Sequence, residues 1–322
     1  MSRLQNLLRT GEIDPESRNR VLLIGGMVAV VALALALIAF GYYVDRIAPR
    51  GDTVITVGDR KFSYAYLEDR IDAAVAEGLF NTSNISFGIA QMVSDIQNEE
   101  LTRRIAAEDG ISITEEEMEL GMRADAGTFP EADRNVFAVA LRSRLQLLDL
   151  SLERYQEIIE AELLEAKITD QYAAGLPEEL EQVELNLILV TTDAAAATAR
   201  QRIVDGEDFG EVAMELSQHS SASAGGALGW TPRDLLVDDL ADAAFAVEPD
   251  TLSEVIETER GFYILKVDGK EMRAVDEVTA SNLARTSFAR RLEAASEQYE
   301  LQNLVTVGQA QRIAGHIQVP GG

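Results

Sequence analysis

Between Arg20 and Asp45 the chain runs for 24 residues, Val21 to Val44, without a charge, drawn mainly from Ala, Leu, Val, Ile and Gly. A helix needs roughly 20 apolar residues to cross about 30 Å of hydrocarbon, so the run predicts one transmembrane helix. Tyr42 and Tyr43 stand where interfacial aromatics sit. A cleaved signal peptide is the rival reading, since small-x-small triplets such as Ala34-Leu35-Ala36 occur, but its apolar core is normally about 7 to 15 residues. An uncleaved anchor fits the length better. The basic flanks leave orientation open, because Arg3, Arg9, Arg18 and Arg20 before the run are matched by Arg46, Arg50, Arg60 and Lys61 after it. A short tail before the run and nearly all the mass behind it favour an N-terminus inside.

The remaining chain is long enough for about two domains within its 322 residues. Its 28 Lys plus Arg against 55 Asp plus Glu leave a charge of −27, which excludes nucleic acid as the main ligand and argues against attraction to an anionic lipid surface. With no cysteine there is no disulfide, thiol nucleophile or lipid-modified cysteine, and attachment to a membrane falls to the apolar run itself. Two histidines, His219 and His316, are too few for a multi-histidine zinc site, and no cofactor is implied.

Periodicity divides the rest. A strand at Val54 to Val57, a Gly58-Asp59 turn and a helix capped near Ser63 open it. Helical spacing of Ile89, Val93, Ile96 and Ile105 ends at Gly110, and Thr114 with Glu117 forms a capping-box pattern for the next helix. Phe137 to Tyr172 reads as one or two amphipathic helices. Then the texture changes: a strand at Val183 to Val190, a helix capped by Asp193, a short helix after Asp208, and a Ser/Gly-rich loop from Ser217 to Gly229. Strands near Leu252 to Ile256 and Phe262 to Val267 complete a compact α+β unit. From Asp276 to Tyr299 the chain is helical again and is expected to return to the earlier helices.

The phrases "NLILV", "GEDFGEVAMELS", "SSASAGGALGW", "ADAAFAV" and "LSEVIETERGFYILKV", in that order, resemble the parvulin (PpiC-like) family of peptidyl-prolyl cis-trans isomerases. The flanking "VITVGDRKFSYAYLE" and "DGISITEEEME" look like the chaperone module of membrane-anchored extracytoplasmic foldases, in which a helical domain wraps an inserted parvulin unit. The resemblance implies an α+β fold with an antiparallel sheet and surrounding helices. It also implies a layout of cytoplasmic tail 1–20, transmembrane helix 21–44, helical chaperone-like domain 45–177 plus 271–322, and inserted isomerase domain 178–270. The family commonly has a histidine before the Ile-Leu-Val of its first strand and another in its last strand. Here those places hold Leu187 and Tyr263, and the usual loop aspartate is Ala227.

By the same resemblance Leu236, Leu240 and Phe245 match the family's apolar proline pocket, joined by Trp230 from the loop phrase as a substrate-binding residue. Thr258 and Ser253 match hydroxyls near it, and His219 falls at the family's reactive loop position, where with Tyr263 it would supply polar donors. Each has a plainer reading. Leu236, Leu240 and Phe245 could be ordinary core, His219 a solvated loop residue, Tyr263 a packed aromatic, and Leu187 lies on a core face with Val183, Leu185 and Leu189. The implied function is a single-pass foldase in the cytoplasmic membrane, its bulk on the extracytoplasmic side, acting on unfolded or proline-containing exported polypeptides. The alternative is a parvulin-fold chaperone that grips such clients without useful catalysis.

Overall fold

The structure, a computed structural model, describes residues 31–37 and 48–317. Residues 31–37 are helical, with Val31, Leu33, Leu35 and Leu37 exposed. The rest of the expected span lies outside the described residues, and among the described residues no helix is long and apolar enough to cross a membrane.

In chain order the first elements are β1 (Thr53–Val57), β2 (Arg60–Ser63), α1 (Tyr64–Ala76), α2 (Ile85–Glu108), α3 (Glu115–Asp125), α4 (Arg134–Leu148) and α5 (Leu152–Ala174). There follow β3 (Glu179–Val190), α6 (Asp193–Val204), α7 (Phe209–Leu216), β4 (Ala227–Pro232), α8 (Asp238–Ala246), β5 (Thr251–Leu252), β6 (Ile256–Thr258) and β7 (Gly261–Ala274). The chain closes with α9 (Glu277–Gln298), β8 (Leu301–Asn303) and α10 (Val307–Ile317). The described residues fall into two compact units: those up to Asn98, with Ala132–Tyr155 and those from Tyr299 on, form one, and Glu99–Glu131 with Gln156–Gln298 the other.

In the first unit β1 is the centre of a three-stranded antiparallel sheet, β2-β1-β8. Gly58, at φ 58°, makes the turn into β2, and Ser63 caps α1 by accepting the Tyr66 N–H at 3.2 Å. The third strand arrives from the far end of the sequence: Ile55 pairs with Asn303 and Val57 with Leu301. Both α4 and α5 exist, because Asp149 adopts the left-handed conformation (φ 52°) and ends α4. Ser151 then accepts the Arg154 N–H at 3.2 Å and starts the next helix.

In the second unit the capping box of α3 forms as its sequence requires, with Thr114 and Glu117 bonded reciprocally. Lys167 of α5 adds an ion pair to Glu117 at 2.6 Å. Hydrogen bonds from that ammonium and from Thr114 hold the Glu117 carboxyl down at about 2. Asp276 caps α9 by accepting the Thr279 N–H at 2.7 Å. Arg291 of α9 pairs with Glu108 of α2 at 2.5 Å, and α9 and α5 line a groove of about 640 Å³ in which Ala166, Ala280 and Ala284 stand among Glu162, Glu165 and Asp170.

The same unit holds an antiparallel sheet in the order β4-β3-β7-β5, with β6 also on β7. Strands β3 and β7 are longer than their apolar stretches predict, pairing from Val190–Phe262 out to Glu179–Ala274. Their outer halves carry polar side chains, so hydrophobic alternation underestimates them. Helix α6 is capped by Thr192, which accepts the Ala195 N–H at 3.2 Å, and not by Asp193, which is its first helical residue. Side chains alternate across the sheet. Val183, Leu185, Leu187, Tyr263, Leu265 and Val267 build one core with α8, while Ile188, Val190 and Ile264 build another with α6 and α7.

Gly226 is demanded by the loop between α7 and β4. It sits at φ 83°, its carbonyl accepts the Leu187 N–H at 2.9 Å, and an added Cβ would stand 2.5 Å from the Leu187 carbonyl oxygen. Left-handed strain and overlap with backbone act together, so Gly226→Ala is expected to cost at least about 2 kcal/mol. The measurement is the urea midpoint, which should fall while the slope of the transition stays constant.

Candidate functional site

Strand β3 positions the site through its two edges. On one edge Leu189 donates its N–H to Ser217 Oγ at 3.1 Å and accepts the Gln218 N–H at 2.8 Å, which pins the Ser-rich loop to the sheet. On the other edge Leu189 is the register partner of Tyr263 in β7. His219 and Tyr263 therefore flank the same level of the sheet from opposite sides of β3.

His219 is half-buried and caps the short 3-10 turn Ser220–Ala224. Its Nδ1 accepts the Ser221 N–H at 3.2 Å and lies 2.9 Å from Ser221 Oγ. A nitrogen that accepts needs its lone pair, so the ring proton resides on Nε2, which is left as a donor. The serine two residues on fixes the tautomer.

Leu236, at 7% exposure, and Leu240, at 5%, pack with Tyr263 and Leu187 on one sheet face, and Phe245, Leu189 and Ile256 close the edge of that cluster half-buried. The three residues expected to form a proline slot are thus brought together, two of them inside the core and Phe245 at its rim. Lys270 donates to the Phe245 carbonyl at 2.6 Å, and the Lys270 ammonium and the Arg233 guanidinium each lie 5.6 Å from the Phe245 ring centroid. Leu187 is core, as its face predicts.

Trp230 is not brought to this slot. It is a strand residue of β4, opposite Glu184, whereas the slot face is carried by Val183 and Leu185 on either side of Glu184. Directly opposed residues share a face, so the indole lies on the other side of the sheet. There the Arg273 guanidinium stacks 4.3 Å over it, and Gly269 leaves room for it, since a Cβ would come within 2.8 Å of the ring.

The two hydroxyls are occupied by the fold. Thr258 Oγ1 accepts the Arg260 N–H at 3.2 Å and donates to the Gly261 carbonyl at 3.0 Å, which closes the turn from β6 to β7. Ser253, at 4% exposure, accepts the Leu265 N–H at 2.9 Å and donates to the Glu254 carbonyl at 2.7 Å. Ser253→Ala would leave a buried N–H without its partner and is expected to cost about 1–3 kcal/mol of stability. Isomerisation kinetics below the lowered melting temperature should be unchanged. A variant that stays stable yet loses turnover would instead put Ser253 in contact with the client.

Two exposed apolar side chains of this domain are not marked by the sequence pattern. Val237, which follows Leu236, is 51% exposed, and Leu228 is 38% exposed where β4 shifts register against Leu185 and Asn186. A register shift leaves no mark in hydrophobic alternation, so Leu228 reads simply as part of a glycine-rich loop. A packed floor with half-buried Phe245, Leu189 and Ile256 at its edge can hold an apolar ring. It offers no activated nucleophile.

Residues 189–269 match the family model described as the Rotamase PPIC-type PPIASE domain. Foldase protein PrsA of Caldanaerobacter subterraneus subsp. tengcongensis is 24% identical over 316 residues, covering 91% of this chain and 99% of that protein. Chaperone SurA of Ralstonia nicotianae is 31% identical over 145 residues, 41% of this chain and 29% of that protein. Among solved structures, the parvulin of Nitrosopumilus maritimus is 33% identical, with 30% of this chain and 100% of that one covered at a TM-score of 0.26. The domain containing the slot is a PPIC-type parvulin domain. The chain that carries it is a homologue of the PrsA and SurA foldases.

Proposed function

We propose that this chain is a membrane-anchored foldase: a peptidyl-prolyl cis-trans isomerase and chaperone that assists the folding of exported proteins. Residues 21–44 hold it in the cytoplasmic membrane with the bulk extracytoplasmic. The observation that carries the reading is the convergence of Leu236, Leu240, Phe245 and Tyr263 on one sheet face, within the matched domain, beside the pinned His219 loop. Rotation about a prolyl amide breaks no covalent bond but meets a barrier of about 18–20 kcal/mol, and takes tens of seconds or longer uncatalysed. The slot lowers it by holding the ring in apolar surroundings away from water that favours the planar amide. The His219 Nε2–H supplies a donor to the twisted carbonyl, while Tyr263, 4% exposed, packs in the floor of the slot. The exposed leucines of 31–37 and the uncharged run around them support the anchor.

A second reading is favoured by one specific observation: Leu187, where the family has a histidine, is 2% exposed and packed as core. Under it the domain grips extended or proline-containing segments without useful catalysis. Refolding of a client limited by a prolyl bond separates the two. A foldase accelerates the slow phase, whereas a pure holder raises the yield and leaves that phase unchanged. His219→Ala is expected to slow the catalysed phase about tenfold, corresponding to roughly 1.4 kcal/mol of transition-state binding. Protease added to intact spheroplasts tests the topology: it should digest the bulk of the chain, and full protection until lysis would reverse it.

A further inference from the structure

Helix α4 is anomalous twice over. It spans 15 residues, RNVFAVALRSRLQLL, yet only Leu148 among them is buried. Val136, Val139 and Leu147 are 55%, 63% and 57% exposed. With Ser143 they fall at i, i+3, i+7 and i+11, one stripe along the helix. It also carries Arg134, Arg142 and Arg144 and no carboxylate, in a chain whose net charge is −27. Arg144 is bridged to Glu77, whereas Arg134 and Arg142 are exposed, and Arg142 stands at i+3 from Val139, beside the stripe.

We propose that α4 docks on an anionic phospholipid surface, with Val136, Val139 and Leu147 entering the headgroup boundary and Arg142 and Arg134 meeting lipid phosphates. A basic helix with an exposed apolar stripe is the chemistry of interfacial binding. The net charge, which by itself argues against such a surface, does not describe this helix. A second copy would bring the same arginines against themselves, and a varied set of clients gives no reason for a helix free of acids.

Tether length makes the surface reachable, and here the inference rests on the anchor proposed for residues 21–44. Only eight residues separate Val44 from Thr53 in β1, a reach of at most about 30 Å. The turn Ala48–Gly51 that precedes β1 is fixed on α1, where Arg50 pairs with Glu68 at 3.1 Å and Asp69 at 3.5 Å. Helix α4 is held on the same α1 through Glu77 at its C-cap, nine residues on and hence about 14 Å further along by the helical rise. The point where the chain would leave the bilayer and the basic helix therefore share one short support.

The absence of native cysteine makes a single-label test clean. Full-length chain carrying Val139→Cys is labelled with an environment-sensitive fluorophore and reconstituted in vesicles of phosphatidylethanolamine and phosphatidylglycerol, or of phosphatidylcholine alone. The expected result is blue-shifted emission quenched by doxyl-lipid in the anionic vesicles. That signal should be lost in phosphatidylcholine, at high salt, and in the Arg134→Glu, Arg142→Glu double variant. Emission quenched by acrylamide and not by doxyl-lipid in anionic vesicles overturns the proposal. So does a label shielded from both quenchers, which marks a protein occupant, a second copy if the label self-quenches. A companion label at Ala34→Cys reports the anchor separately. Lipid quenching at 34 with a wet 139 overturns the docking alone, lipid quenching at 139 with a wet 34 supports docking and refutes the anchor, and wet labels at both overturn the two together.

Discussion

Phe245→Ala is expected to remove nearly all isomerase activity while leaving the protein folded. The ring forms the half-buried rim of the slot, so its loss takes away the wall against which a client proline would rest. Removing a contact of this size is worth about 3 kcal/mol of transition-state binding, on the order of a hundredfold in kcat/KM. The fold loses less, because the ring is only partly inside. Leu240→Ala is the less informative neighbour: at 5% exposure it is true core, and truncation there costs about 2–5 kcal/mol of stability, so lost activity would be confounded with lost structure. Kinetics on a prolyl peptide, read beside a circular-dichroism melt, check the prediction. Full turnover by a folded Phe245→Ala protein would remove the slot from the account.

Replacing residues 179–274 with a short Gly/Ser linker is expected to abolish isomerisation completely and yet leave a folded, helical protein that still suppresses aggregation. The ends of the segment meet: Glu179 pairs with Ala274, and the Val275 N–H reaches the Glu178 carbonyl at 2.9 Å. Excision therefore asks little rearrangement of what remains. Among the contacts α9 gives up are a partly buried 3.4 Å bond from Arg290 to the Leu236 carbonyl and an exposed 3.8 Å ion pair to Asp234, each worth about 1 kcal/mol. What it keeps is its pairing with Glu108 and the groove it lines with α5. Helicity and an aggregation assay decide. An unfolded product would mean that the strand unit is integral to the helices, and a folded product without suppression would move client binding onto the parvulin domain.

Local chemistry was readable from residues wherever one short pattern decides the outcome. The Thr114–Glu117 box, the Ser63 cap, the alternation that makes Leu187 core and the glycines of the 217–229 loop all follow from rules acting within a few positions. Readability failed where the deciding partner is distant. Strand β8 is three residues long and exists because β1 offers it an edge from the other end of the chain. Trp230 sits in a phrase that marks the site, yet its register opposite Glu184 turns it to the far face. Ser253 is a site residue by resemblance, but its hydroxyl completes the pairing of the Leu265 amide, a role set by tertiary contact. The basic, exposed face of α4 was hidden by an overall acidity that averages over its three arginines.

Catalysis by the slot is measured by cis-trans isomerisation of an Ala-Pro tetrapeptide by the purified full-length chain, followed in a protease-coupled or direct absorbance assay. The expected result is acceleration over buffer that is modest for a parvulin domain, saturable, competed by unfolded protein, and lost in Phe245→Ala. A rate equal to buffer, from a chain whose circular dichroism and thermal melt show it folded, would contradict it and leave a parvulin fold that only holds its clients.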